Sequence, residues 1–259
     1  MKKLAGVVFM RNAVSLDYCF EQCIKSMSSV CDCIYVLDAG SDDGTREQLM
    51  SLYSGNEKIV LILLPVDEWD KQKGKEKLSY FTNISIDLAE KDGYEYVLNI
   101  QADEVLSERS YEAIRAAIQS GAEAFMCSRI NLWGSPFTYL SVEDSKQPCS
   151  TKIIRLAKSK YRSVDDAESI GVSDVSFNFL KDIKIWHMGF VRDKYIMKDK
   201  VIHMQEGVFG VDHDEKLDGV DYFDSERWFS GNDLSIIEEP LPTIIKDWAI
   251  DRELKNKNK

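Results

Sequence analysis

No stretch of this 259-residue chain approaches the roughly 20 consecutive apolar residues that a membrane-crossing helix requires. A secretion signal is missing too: the apolar run of Leu4 to Met10 is short and gives way to Arg11-Asn12 with no small-residue cleavage site. These absences set the expectation of a cytoplasmic protein. Positive charge is in the minority, with 33 Lys and Arg against 44 Asp and Glu, a net charge of −11. General binding to DNA or to an anionic membrane depends on clustered Lys and Arg. Both are therefore disfavoured, although a basic groove around Lys71 to Lys77 would reopen nucleic acid. Without a secretion signal, the six cysteines of so large a chain do not read as a disulfide framework. Cys19, Cys23, Cys31 and Cys33 lie close enough to raise zinc. Cys19 and Cys23 fall on the apolar stripe of a helix and Cys33 opens a strand, so buried free thiols are the simpler reading. There are no internal repeats and no long linker. A nucleotidyltransferase would want a Gly-rich, Arg/Lys-bearing loop after its first strand, and Phe9-Met10-Arg11-Asn12 is not that.

What is present is alternation. At 44% hydrophobic and 30% charged, the composition is that of an ordinary protein with a full core. Strands are predicted at Leu4 to Met10, Cys33 to Leu37, Ile59 to Leu64 and Tyr96 to Ile100. Helices fall between them: Leu16 to Met27 with Ser15 as N-cap, Thr45 to Tyr53, and Leu78 to Glu90. Alternating strands and helices through the first 120 residues are the mark of a parallel α/β sheet. Beyond it come a helix at Ser107 to Gln119, strands at Ala122 to Ile130, Thr151 to Ala157 and Ile183 to Trp186, and helical patterns at Val191 to Met204 and Leu241 to Leu254. Asn131 to Ser150 reads as a loop or hairpin lining a site, and Val208 to Gly231 as an acidic, aromatic-rich loop.

The chemistry concentrates at strand ends. The apolar run Tyr96-Val97-Leu98 stops at Gln101-Ala102-Asp103-Glu104, and in open α/β sheets ligands bind at the carboxyl ends of the strands. Adjacent carboxylates there suit a hard divalent cation bridging to phosphate oxygens; they can equally complement the dipole of the next helix. Asp38 and the turn Gly40-Ser41-Asp42-Asp43-Gly44-Thr45 suit a nucleotide, or simply a well-capped βα turn. His187, at the end of an apolar strand, can complete a metal site begun by a carboxylate, or be a satisfied core histidine. His203 has no such frame, and His213 reads as a solvated loop residue.

Together these stretches resemble the family 2 glycosyltransferases, closest to a branch of bacterial and phage members. The matching pieces are Phe9-Met10-Arg11-Asn12-Ala13, Asp17-Tyr18, Gly40 to Thr45, Trp69-Asp70, Thr82-Asn83, Ile100 to Val105, Trp133-Gly134-Ser135, Asp166-Ala167 and His187 to Asp193. They run in the family's order from about Leu4 to Lys200. The resemblance implies an α/β fold of the GT-A, Rossmann-like type, with a mostly parallel central sheet and helices on both faces. Its catalytic domain would be 1–206, split into a nucleotide-binding half (1–120) and an acceptor-binding half (121–206), with 207–259 as an extension. It implies an inverting transfer of a hexose or pentose from a nucleotide-diphosphate sugar, expected to be a UDP-sugar, to a hydroxyl of a glycan or other acceptor. Mn²⁺ or Mg²⁺ would be held by Asp103 and His187. Donor contacts would come from Arg11, Asn12, Asp38, Ser41, Asp43, Asn83, Gln101 and Ala102, with Lys75 or Arg192 as assisting cations. Asp166 would be the general base, with Asp165 and Glu168 as substitutes, and Trp133 and Tyr139, with Phe137, would form an acceptor platform. The chain departs from the family's Asp-x-Asp motif at Gln101 and carries Ala39 where a second Asp is frequent. Gln101 favours a binding module without turnover as an alternative, and a phage-type enzyme acting on a modified DNA base is another.

Overall fold

Alternation along the strands sorts their side chains into two cores. On β1 (Leu4–Met10), Leu4, Val8 and Met10 face one side, and Ala5 and Val7 the other. The same division holds for Ile34 and Val36 against Cys33 and Tyr35 on β2 (Cys33–Asp38). Between these strands, α1 (Phe20–Ser28) lays Phe20, Cys23, Ile24 and Met27 on the first face. Burying each such side chain contributes about 1.5–3 kcal/mol. The structure, a computed structural model, describes residues 2–140, 150–173, 177–210 and 234–257.

The chain continues through α2 (Thr45–Tyr53), β3 (Ile59–Leu63), the short α3 (Glu68–Lys71) and α4 (Glu76–Lys91) to β4 (Tyr96–Asn99). β1 pairs in parallel with both β2 and β4, and β2 with β3. The expected α/β sheet is therefore present, with β3-β2-β1-β4 as its parallel core. After β3 the chain crosses to the other side of β1, so the β1–β4 boundary is the point where strand order reverses, the place where ligands bind in such sheets. Helix α4 covers the second face through Ile86 and Ala89.

The second half is mixed. It comprises β5 (Glu104–Leu106), α5 (Tyr111–Ser120), β6 (Ala124–Trp133), β7 (Ser135–Leu140), β8 (Ser150–Lys158), β9 (Arg162–Val164), β10 (Ser169–Gly171), β11 (Asn178–Phe190), α6 (Lys194–Ile202), β12 (Leu234–Ile236) and α7 (Thr243–Lys257). β8 pairs antiparallel with β4 and with β6, and β11 runs parallel to β6, giving a ten-stranded sheet beside a two-stranded β9–β10 hairpin. Helix α7 packs Ile245 into a third core with Val105, Trp186 and Met188. Among the described residues, no helix is long and apolar enough to cross a membrane.

Several boundaries differ from the sequence reading. Helix α1 starts at Phe20, because residues 13–17 form a turn with Asp17 at φ +50°. Ser15 does not cap it; its N–H donates to Asp43 instead, docking the turn on α2. Residues 104–106 are drawn into β5, so the next helix starts only at Tyr111 after a short 3-10 turn. β11 is longer than the expected Ile183 to Trp186. α6 begins at Lys194, capped by Asp193, and continues as a π-helical turn, His203–Phe209. His213, and the expected loop from residue 211 onward, lie outside the described residues.

Candidate functional site

The site is assembled by strand register. β11 pairs antiparallel with β5, setting His187 opposite Glu104, and the Met188 N–H donates to the Asp103 carbonyl at 2.8 Å. On its other side β11 sets His187 opposite Asn131, and the imidazole Nδ1 lies 3.0 Å from the Asn131 Oδ1. An amide oxygen only accepts, so Nδ1 is assigned the proton and Nε2 faces Asp103 at 3.6 Å. A Cβ at Gly189 would stand 2.3 Å from His187 Nε2, so a side chain there would displace the imidazole.

Asp103 and His187 line a cavity of about 400 Å³ at the switch point. Arg11, Gln101, Ala102, Asp103, Asp166 and His187, all singled out from the sequence, meet there. Asp166 sits at the β9–β10 turn between two residues with left-handed backbone, Asp165 at φ +51° and Ala167 at φ +61°. Such strain persists only where the surroundings enforce it. Here the Ala167 carbonyl accepts from the buried Arg155 at 3.2 Å and from Asn99 at 3.4 Å. Glu168, one substitute for Asp166, is engaged: Arg129 Nη1 lies 2.7 Å from it. Burial pushes the Glu168 carboxyl up, but Arg129 outweighs it and holds it below its ordinary value. Asp165 is exposed and paired with Lys75 at 2.8 Å, which removes Lys75 as a cation of the cavity.

Other sequence candidates have structural duties. Asp38 is fully buried and accepts from Ser41 N–H and from Arg46 Nε and Nη2, at 3.1, 2.9 and 2.8 Å. It braces β2 against α2. Asn12 and Ser41 zip two loops together, Asn12 N–H donating to Ser41 Oγ and Asp42 N–H to Asn12 Oδ1. Asp43 accepts from Ser15 N–H, Thr45 N–H and Thr45 Oγ1, holding the loop that enters α2. Asn83 bonds both backbone groups of Ser163, clamping β9 to α4. None of these lines the cavity. Neither do Trp133 and Tyr139. Trp133 is buried against Phe190 with ring centroids 3.7 Å apart, and Tyr139 belongs to the third core, because β6 and β7 turn those faces inward. Phe137 is exposed but stands outside the cavity. The cysteines are buried free thiols where described, and those of Cys19 and Cys23 point at the Ala102 and Gln101 carbonyls. Cys149 lies outside the described residues.

The two adjacent carboxylates part company. Glu104 turns inward, with Arg129 Nε and Arg155 Nη2 each 2.8 Å away. Asp103 turns to the cavity, where its Oδ2 meets Lys200 Nζ at 2.9 Å and Arg192 Nη2 at 3.6 Å, besides His187. Burial raises the Asp103 carboxyl, but Lys200, His187 and Arg192 outweigh it and hold it well below the usual range. Burial, and then Arg129, lower His187, so its imidazole is neutral at pH 7. Burial, reinforced by Arg192 and opposed by Asp103, brings Lys200 down to about 8, still largely protonated at neutral pH. Gln101, at the departed motif position, accepts from Arg129 Nη2 at 3.3 Å.

As these side chains stand, the donor set does not fit a divalent metal. At Asp103 one carboxylate and one imidazole meet, and the remaining groups on that carboxylate are cations. Among the described residues no cluster of three or more His, Cys, Asp or Glu stands together to hold a metal ion. A divalent ion about 4 Å from the ammonium would be repelled by roughly 8 kcal/mol at an effective dielectric near 20.

Sequence reading missed Lys200 and Arg129. Arg129 carried a usable signal, a charge inside an otherwise apolar strand, since Arg is almost never fully buried unless paired. Lys200 carried none, being one of several lysines on a helix.

No family model matches this chain, and no curated protein matches it. Among solved structures it is similar to S. aureus TarS 1–349 in complex with UDP, at 14% identity and TM-score 0.42, over 69% of this chain and 60% of that one. TarS 1–349 in complex with UDP-GlcNAc aligns at 14% identity and TM-score 0.41, over 69% and 59%. A further structure of TarS 1–349 aligns at 12% identity and TM-score 0.46, over 88% and 72%. Likeness at this level leaves substrate and reaction to the geometry of the site itself.

Proposed function

We propose that the chain is a glycosyltransferase acting on a nucleotide-diphosphate sugar, a UDP-sugar being the donor the sequence resemblance favours, with a glycan or other hydroxyl compound as acceptor. The observation that carries this reading is convergence. Arg11, Asp103, Asp166 and His187, from four distant stretches, line one cavity at the reversal point of an α/β sheet. The cavity offers the two things the reaction needs, cations for a leaving diphosphate and a carboxylate for the acceptor proton.

In the proposed step the acceptor oxygen attacks the anomeric carbon. The new carbon–oxygen bond forms as the bond to the diphosphate oxygen breaks, so a single displacement inverts the anomeric centre. The acceptor proton passes to the Asp166 carboxylate. The electron pair of the broken bond leaves on the nucleoside diphosphate, whose growing charge the neighbouring cations stabilise. Asp166 is preferred over Glu168 because Arg129 already engages Glu168.

The test is release of nucleoside diphosphate from a panel of nucleotide sugars, with and without candidate acceptors. Wild type is expected to release it slowly by hydrolysis and faster with an acceptor. Asp166→Asn should keep nucleotide binding and lose about 10²- to 10⁴-fold in transfer. A second reading, a sugar-nucleotide binding module without turnover, draws on Gln101 and on the ion pair that already occupies Asp103. Nucleotide binding with no hydrolysis under any condition would select it.

A further inference from the structure

Lys200 lies on α6 but is buried at the floor of the cavity, 97 residues from the carboxylate it touches. Its ammonium has three hydrogens to donate. One goes to Asp103 Oδ2 at 2.9 Å and one to the Gly189 carbonyl at 3.0 Å. The rings of Tyr18 and Phe190 stand beside it, with centroids at 5.5 and 5.7 Å, and Arg192 shares its carboxylate. The ammonium is thus held by a carboxylate, a carbonyl and two aromatic faces, and Lys200 lines the cavity with two of its three donors committed.

Two further observations point the same way. Arg11 lies over the Trp69 ring at 5.2 Å, and its Nε and Nη1 are buried with no hydrogen-bond partner among the described residues. Gln101 and Glu104, which would have added oxygen ligands for a metal, are both committed to Arg129. The cavity therefore keeps unpartnered cationic donors on Arg11, while the oxygen groups next to Asp103 are already taken by Arg129. That balance suits a polyanion arriving without its own divalent ion.

We infer that this chain binds the diphosphate of its donor through fixed protein cations, with Lys200 occupying on Asp103 the place a divalent metal would take. This rests on the nucleotide-sugar reading and deepens it. Asp103 then serves to position the ammonium rather than to ligate a metal. Lys200 donates a charged hydrogen bond to the leaving diphosphate, and Arg11 offers a second contact. No bond forms to the lysine and no proton has to leave it.

The experiment is calorimetric titration of the wild-type protein with UDP, GDP, ADP and CDP, and with the matching nucleosides, in EDTA and again in Mn²⁺. One nucleoside diphosphate is expected to bind in EDTA within about threefold of its affinity in Mn²⁺. Lys200→Met should weaken that binding about 10- to 100-fold, the scale of one charge-assisted hydrogen bond, and leave the nucleoside's affinity unchanged. Because that variant strands a buried carboxylate, Lys200→Met combined with Asp103→Asn removes both charges together, and it should show the same loss. Binding that appears only with Mn²⁺ and vanishes in EDTA overturns the inference while leaving the nucleotide-sugar reading intact. So does a Lys200→Met protein that binds the diphosphate as well as wild type. Failure of every nucleotide to bind in either buffer overturns both.

Discussion

The Glu104 carboxylate, 0% exposed, is matched by two arginines, and the three charges hold three parts of the molecule together. Arg155 reaches on to the Ala167 carbonyl beside Asp166, and Arg129 to Gln101 and Glu168. Removing one member of a buried network leaves the others uncompensated, which costs far more than an exposed pair is worth. Glu104→Ala is expected to lose about 3–5 kcal/mol, read from urea unfolding with an unchanged slope. A loss under about 1 kcal/mol would mean the arginines find other partners. Gly189→Ala tests a different kind of necessity. Its Cβ would stand 2.3 Å from His187 Nε2, so the imidazole must move. On the proposed glycosyltransferase reading, displacing a group that lines the cavity by about 1 Å costs on the order of 10²-fold in turnover. Gly189→Ala is therefore expected to match His187→Ala in nucleotide-sugar turnover, with the double variant no worse than either; a strictly additive double variant would separate the two residues.

Among the elements, β11 does the assembling. It lies between β5 and β6 and so brings His187 to Asp103 on one side and Asn131 on the other. The β9–β10 turn is fixed independently, by Asn83 on α4 and by Arg155 on β8. The start of β6 and the end of β8 are joined at Glu123, with Lys158, Lys160 and Tyr161 around it. Hydrogen bonds from Lys158, Lys160 and Tyr161 bring the Glu123 carboxyl down to about 2, from an ordinary value of 4.5. A carboxyl lowered in the folded state contributes stability above its unfolded pKa and loses it as pH falls through the folded one. The difference in melting temperature between wild type and Glu123→Gln should thus be full at pH 7, begin to shrink near pH 4.5 and vanish near pH 2. It should also diminish in 1 M salt, since the group is at the surface. A difference independent of pH would assign the effect to packing.

Across the whole molecule, the C-terminal helix belongs to the same body as the site. Ile245 of α7 is fully buried with Val105, Trp186 and Met188, immediately behind β5 and β11, and Arg252 pairs with Asp17 beside the α1 turn. Ile245→Ala is expected to cost about 2–5 kcal/mol and to lower one cooperative transition rather than split it in two. Hydrogen exchange should then rise in β5 and β11 together with α7. An early, separate melting of α7 would show that the helix is an appendage.

The sequence by itself determined the parallel half of the sheet and one end of the site. Hydrophobic period settles strands and helices locally, and a βα tip places Asp103 and Arg11 at a strand's carboxyl end without knowledge of anything distant. The ends of elements were harder. A short strand such as β5 exists only because β11 is there to pair with it. What only the tertiary structure decided was which polar groups have partners within the protein. Asp38, Asn12, Asp43 and Asn83 are residue types that suit a nucleotide, yet each also bonds a neighbour folded against it. Lys200, ordinary in sequence, is set on Asp103 by the packing of α6. Charge partners across 97 residues are chosen by the fold, because electrostatic pairing depends on distance and burial in space and leaves no period in the chain.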